Sequence, residues 1–141
     1  MKEHGRFELN RHGSIILLRA FGESNLETFR TYSRNIQELG RQLQGRPWAT
    51  LVDARSWGLS GMDIQEPLRE LVGKLDKLGR THSAMITGDN ELLVKFLLQL
   101  PMSDNSSVKV KFFKDVYSAV DWLEDQEFDC VALRDAVTTS G

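Results

Sequence analysis

The 141-residue chain carries 18 Lys and Arg against 20 Asp and Glu, for a net charge of −2, with 40% hydrophobic and 27% charged residues. That is ordinary globular composition at the length of one domain, enough to bury roughly two-thirds of the unfolded surface. It excludes an extended nucleic-acid surface, which needs clustered Lys and Arg to displace phosphate counterions.

Taken in order, Arg6–Arg11 alternates Phe7 and Leu9 with polar neighbours, and Ser14–Ala20 contains the run Ile15-Ile-Leu-Leu18. The break at His12-Gly13 is too short for anything but an antiparallel hairpin. Ser24-Asn-Leu-Glu27 has capping-box spacing, and Leu26, Phe29, Ile36, Leu39 and Leu43, with Tyr32 near them, give one apolar helical face. Gly45 and Pro47 stop that helix. Trp48–Val52 predicts a buried parallel strand that ends at Asp53 and turns through a small-residue loop as far as Ser60.

Ile64, Leu68, Leu71, Val72, Leu75 and Leu78 mark a second amphipathic helix, with Asp63 and Glu66 at capping-box spacing. Pro67 is tolerated only in the first turn, so the start falls between 63 and 66. His82–Thr87 predicts a strand, Gly88-Asp89-Asn90 a turn, and Glu91–Leu100 a third helix closed by Pro101. Val108–Phe112 alternates strictly, with Lys109 and Lys111 on one face, as suits a guarded edge strand. Asp115 is placed to cap a helix over Val116–Asp125. Beyond Gln126 no period is strong, and Phe128, Val131 and Leu133 suggest a short extended segment followed by a mobile end. The expected division is a domain over 1–126 and a C-terminal tail over 127–141. The order β-β-α-β-α-β-α-β-α gives an α/β fold, a mostly parallel five-stranded sheet with an N-terminal antiparallel hairpin and four main helices.

Ligands in open α/β sheets sit beyond the carboxyl ends of the strands. That rule nominates Asp53, Arg55, Ser56, Trp57, Ser60 and Asp89 as a ligand-binding set. Asp53 either orients a ligand hydroxyl or pairs with Arg55; Trp57 either lids a pocket or plugs the apolar body. Ser56 and Ser60 lack the Gly-x-Ser-x-Gly elbow of a serine nucleophile, and Gly88-Asp89-Asn90 lacks a nucleotide-loop context. Trp48 and Trp122 fit core positions, and His82 fits a hydrogen-bonded imidazole. His4, His12 and His82 are too scattered for a metal site, so no cofactor or metal is expected. Cys130 is the only cysteine, which excludes an internal disulfide, and Asp129 beside it opposes thiolate formation.

The third helix is apolar nearly all round (Leu92, Leu93, Val94, Phe96, Leu97, Leu98 and Leu100). If Leu93, Phe96, Leu97 and Leu100 face the sheet, Val94 and Leu98 form an outward pair for a partner. Leu92–Leu100 is too short to span a bilayer, and Met1–Phe7 has no apolar core of signal-peptide length. The expected location is cytoplasmic.

The strand end Leu51-Val52-Asp53-Ala54-Arg55 and the later Phe113-Lys-Asp115-Val-Tyr-Ser-Ala119-Val-Asp-Trp122-Leu123 resemble the STAS family of sulfate transporters and anti-sigma-factor antagonists. The resemblance covers roughly residues 6–125 and is nearer to the bacterial STAS-like proteins with similarity to Sec14-type lipid-binding domains. It implies an anti-sigma-antagonist-like fold and little chemistry. In the antagonists a serine at the start of the helix after the loop is phosphorylated. Matching Ser60-Gly61-Met62 to the end of that motif puts Leu59 at the acceptor position and Gly58 where its Asp stands. The expected function is a non-catalytic binding or regulatory module for a protein partner, a second copy of the chain, or a small hydrophobic, lipid-like ligand. The alternative is a small enzyme using Asp53, Ser56 and His82.

Overall fold

Among the described residues five strands and five helices follow in the order β1 (Arg6–His12), β2 (Ile15–Glu23), α1 (Leu26–Leu43), β3 (Trp48–Gly58), α2 (Gln65–Lys77), β4 (Arg80–Ile86), α3 (Glu91–Gln99), β5 (Lys109–Phe113), α4 (Val116–Asp125) and α5 (Val131–Thr139). The structure, a computed structural model, describes residues 5–23, 25–58, 65–99 and 108–139. The sheet order is β1-β2-β3-β4-β5, antiparallel at β1–β2 and parallel at every other step. The expected mixed sheet therefore forms.

Each new parallel strand adds on the same side of the last, so right-handed crossovers place α1, α2 and α3 on one face. Phe29 and Ile36 of α1, Leu71 and Leu75 of α2, and Leu93 and Phe96 of α3 share a core there with Ile16 and Leu18 of β2. The opposite face is covered by α4 and α5, the two helices C-terminal to β5. Val120 and Leu123 of α4 and Leu133 and Val137 of α5 pack on Ile15, Leu51 and Ile86. With helices on both sides, β2 and β3 are buried on both faces, which explains the unbroken apolar runs in their sequences.

Several boundaries differ from the sequence reading. α1 is capped by Asn25, whose Oδ1 accepts from the Thr28 amide at 3.0 Å; Ser24, the expected cap, lies outside the described residues. β4 begins at Arg80 and not at His82. Asp63, Leu100 and the loop end from Leu59 to Ile64 are likewise outside the described residues. α2 begins at Gln65, which leaves Pro67 in the first turn as expected.

The expected extended segment after Gln126 is the helix α5. Glu127 takes φ 74°, and the amides of Glu127 and Phe128 turn back to the carbonyls of Glu124 (2.9 Å) and Leu123 (3.1 Å). This is a Schellman-type stop built without glycine, so its usual sequence signal is missing. Asp129 Oδ1 then accepts from the Val131 amide at 3.1 Å and opens α5. Leu133 and Val137 go into the core below α4.

The larger correction concerns β3. Asp53–Gly58 is not a loop: the strand continues to Gly58, because β2 also continues to Glu23 and supplies a parallel partner. The register skips between Arg19↔Asp53 and Phe21↔Ser56, so Ala54 and Arg55 stand opposite the single residue Ala20. This β-bulge inverts the inside-outside alternation downstream. Trp57 thereby pairs with Gly22 and turns into the core under α1–α3.

Candidate functional site

The continued strand divides the residues nominated at the sheet edge between two faces. Asp53 and Arg55 stay together. The Arg55 guanidinium donates to both carboxylate oxygens of Asp53, at 2.9 and 2.8 Å, and its amide donates to Asp53 Oδ1 at 3.2 Å. This pairing raises the Arg55 pKa further, with the Asp115 charge adding to it. The Arg55 stem lies against Gly88, where a Cβ would meet Arg55 Cγ at 3.3 Å. Asp89 in the same turn is 3.7 Å from Lys114 Nζ, and both are largely in water. Asp115 accepts from the Ser118 amide and hydroxyl at 2.8 and 3.0 Å, which keeps its carboxyl below the usual range. At the rim Asp53 is thus paired with Arg55 and Asp89 with Lys114, while Asp115 is held by Ser118. Ser56 is exposed nearby, and Ser60 and Leu59 lie outside the described residues.

His82 does not join this group. Asp53 lies opposite Ile86, whereas His82 lies opposite Ala49 and Lys109, four residues earlier on β4. At 3.3 Å per residue that is about 13 Å along the strand, beyond hydrogen-bond reach. Its ring nitrogens are already engaged, Nδ1 with Thr81 Oγ1 at 2.8 Å and Nε2 with Gln126 Oε1 at 3.1 Å. Edge contacts with Trp122 and Phe128 enclose it, and burial lowers its pKa. Asp53, Ser56 and His82 therefore form no catalytic constellation. Cys130 is buried among the α4 and α5 side chains, and burial, reinforced by Glu124, pushes its thiol up to about 11. Among the described residues no group of three or more His, Cys, Asp and Glu is placed to hold a metal ion, and no helix is long and apolar enough to cross a membrane.

The concave feature is on the other face. A cavity of about 110 Å³ lies between the sheet and α2, walled by Leu18, Val52, Met85 and Phe112 of the strands, Leu71 and Leu75 of α2, and Leu97 of α3. Phe29 and Tyr32 of α1 extend the wall. Tyr32 stacks on Phe7 with centroids 4.6 Å apart and meets Phe29 edge-on at 5.6 Å. Its phenol is pushed up by burial, against the opposing charge of Arg80. Trp57 also lines the cavity and meets Phe96 of α3 edge-on at 6.4 Å. Trp57 is thus part of the apolar body and of the cavity wall at once. Trp48, by contrast, is fully buried with its indole N–H donated to the Leu78 carbonyl at 3.1 Å.

Sequence reading missed Arg80. Its side chain is 7% exposed and lines the same cavity. It donates from Nη2 to Asp76 Oδ1 at 3.0 Å and from Nη1 to Thr50 Oγ1 at 3.1 Å. The available signal was the Asp76–Arg80 spacing across the end of α2, which allows an ion pair at i, i+4. Val94 and Leu98, nominated for a partner, separate: Leu98 is 65% exposed and Val94 half-buried, while Leu92, at 74%, is the most exposed apolar residue of α3. Of the four residues expected to face the sheet, Leu93 and Phe96 are buried and Leu97 partly so, and Leu100 lies outside the described residues.

No protein-family model and no curated protein matches this sequence. Solved structures do. An uncharacterised protein of the DUF3478 family from Shewanella loihica PV-4, described as having a SpoIIAA-like fold, superimposes with a TM-score of 0.64 at 16% identity, over 87% of this chain and 96% of that one. The anti-sigma factor antagonist SpoIIAA in its unphosphorylated form superimposes with a TM-score of 0.58 at 11% identity, over 84% of this chain and 98% of that one. The likeness is one of fold: with its strand order, leading antiparallel hairpin and helices over both faces, the chain has a SpoIIAA-like fold.

Proposed function

We propose that this chain is a non-catalytic binding module whose site is the apolar cavity between α2 and the sheet, and that its ligand is a small, mainly hydrophobic molecule. The observation that carries this reading is the cavity itself, walled by aliphatic and aromatic side chains of the core under α1, α2 and α3. Close-packed interiors rarely leave voids larger than a water molecule. An apolar void of about 150 Å³ takes benzene, so about 110 Å³ suits a single ring or a short chain. At the rim Asp53 and Arg55 neutralise one another and offer a poorer site. Val72 lines the cavity and is half-buried, so it accepts a larger side chain without a clash deep in the core. Val72→Phe should leave the fold intact by circular dichroism and abolish binding of single-ring apolar probes followed by calorimetry. Undiminished binding in that variant sinks the reading.

A second reading concerns a protein partner, and the exposure of Leu92 and Leu98 on α3 favours it. Two leucines in water forgo roughly 25 cal/mol for each Å² of apolar surface left unburied. A second copy of the chain, meeting α3 through Leu98 and the half-buried Val94, recovers part of that. Leu92→Glu with Leu98→Glu should shift sedimentation from dimer to monomer. A wild-type chain that sediments as a monomer at every concentration removes this reading and leaves the cavity reading untouched.

A further inference from the structure

Two buried side-chain donors lack a hydrogen-bond partner among the described residues, Arg80 Nε and Trp57 Nε1. Both residues line the same apolar cavity. Buried polar groups are almost always paired, and an orphaned donor forfeits its hydration without return. Arginine and the indole N–H can only donate. What these two residues of the cavity wall lack is therefore an acceptor.

Arg80 is the better held of the two. Asp76 and Thr50 fix its guanidinium from two sides and leave Nε over. A bond from a charged donor is also stronger than one from a neutral indole. Register sets the two donors toward opposite ends of the cavity, since Arg80 lies opposite Trp48 at the start of β3 and Trp57 lies near its end. A one-ring ligand anchored at Arg80 therefore leaves Trp57 to a second acceptor or to a longer ligand.

The charge of the acceptor is set by the neighbours. Asp76, with a 12% exposed side chain, already neutralises Arg80. Arg69, the other cation of the wall, is paired with Glu66. A carboxylate brought into this cavity would be desolvated with no unmatched positive charge to receive it. Resting on the cavity reading above, we propose that the ligand is an uncharged molecule with an apolar body of about one ring and a carbonyl-type acceptor, a ketone, ester or amide, that takes the Arg80 Nε–H.

The test compares cyclohexanone, its carbon isostere methylenecyclohexane, and cyclohexanecarboxylate on the full ¹⁵N-labelled chain, with affinities by titration and the Arg80 Nε–H and Trp57 Nε1–H resonances followed by NMR. Cyclohexanone should shift the Arg80 Nε–H signal downfield and methylenecyclohexane should not. Arg80→Lys keeps the charge beside Asp76 and removes the Nε–H. It should reduce the preference for cyclohexanone over methylenecyclohexane about tenfold, as expected for one lost charge-assisted bond, whereas Trp57→Phe should change that preference less. If both neutral probes bind and the Arg80 signal responds to neither, the acceptor inference falls while the apolar site stands. A response confined to Trp57 also overturns it, and tighter binding of the carboxylate overturns the assignment of an uncharged ligand. Failure of all three probes to bind defeats the cavity reading itself.

Discussion

The two faces of one sheet are packed to different standards. Under α4 and α5, Ala49, Leu51, Ala84 and Ile86 meet Val120, Leu123 and Leu133, all without solvent exposure. The polar groups on that side are engaged: His82 holds Thr81 and Gln126, and Arg134 ties the two helices together by donating to Asp121 and Glu124, each at 2.7 Å. Under α1, α2 and α3 there is a cavity of about 110 Å³, and both buried unpaired donors among the described residues are in its wall. The same strands supply both faces, so the difference lies in what covers them. Helices that leave space and unpaired donors forgo stability, and such departures from close packing concentrate where a ligand is received.

If that contrast is right, truncations on the two faces should differ in cost. Leu133→Ala empties a fully buried position in the closed core and should lose about 2–5 kcal/mol in denaturant unfolding, from lost transfer energy plus the new cavity. Val72→Ala, in the half-buried wall of an existing void, should lose about 1 kcal/mol. Equal losses would show that the two faces are packed alike.

The closed face should also carry a pH dependence. Burial depresses the folded-state pKa of His82 below its ordinary 6.5, so the unfolded chain binds a proton more readily than the folded one. Stability is then complete above the unfolded value and is lost as pH falls through it toward the folded value. His82→Gln should flatten the part of the stability profile just below pH 6.5. An unchanged slope would mean that the ring is not sequestered by Trp122 and Phe128.

The smallest effect belongs to the rim. Asp53 and Arg55 form a two-pronged pair, but the Arg55 side chain is 44% exposed. Arg55→Gln should cost less than about 1 kcal/mol, and less still at high salt. It should leave binding of apolar probes in the cavity unchanged. A loss of probe binding would move the site back to the sheet edge.

Much of this was legible in the residues. The hairpin followed from the two-residue break at His12-Gly13, where Gly13 takes φ +62°. The Asp115 cap and the edge position of the lysine-bearing strand were visible in short patterns and recur in the structure. α5 was not legible, because its preceding turn puts Glu127 where a glycine normally announces the stop. The sequence suggested a small hydrophobic ligand but did not mark α2 as the wall of a cavity. Arg80 passed unnoticed, since a lone arginine after Gly79 reads as loop until a sheet encloses it.

The sequence by itself determined the order of elements as far as α4, their apolar faces and the parallel pairing, since these depend on periodicity and on loops too long or too short for other connections. Only the tertiary structure decided which face each residue beyond Asp53 serves. The continuation of β2 to Glu23 turned an apparent loop into strand, and one extra residue opposite Ala20 sent Trp57 beneath the helices. Side-chain direction in a strand has a period of two, so a single-residue bulge reverses every assignment after it. Such a bulge is fixed by a partner strand far away in sequence, and the local pattern does not contain it.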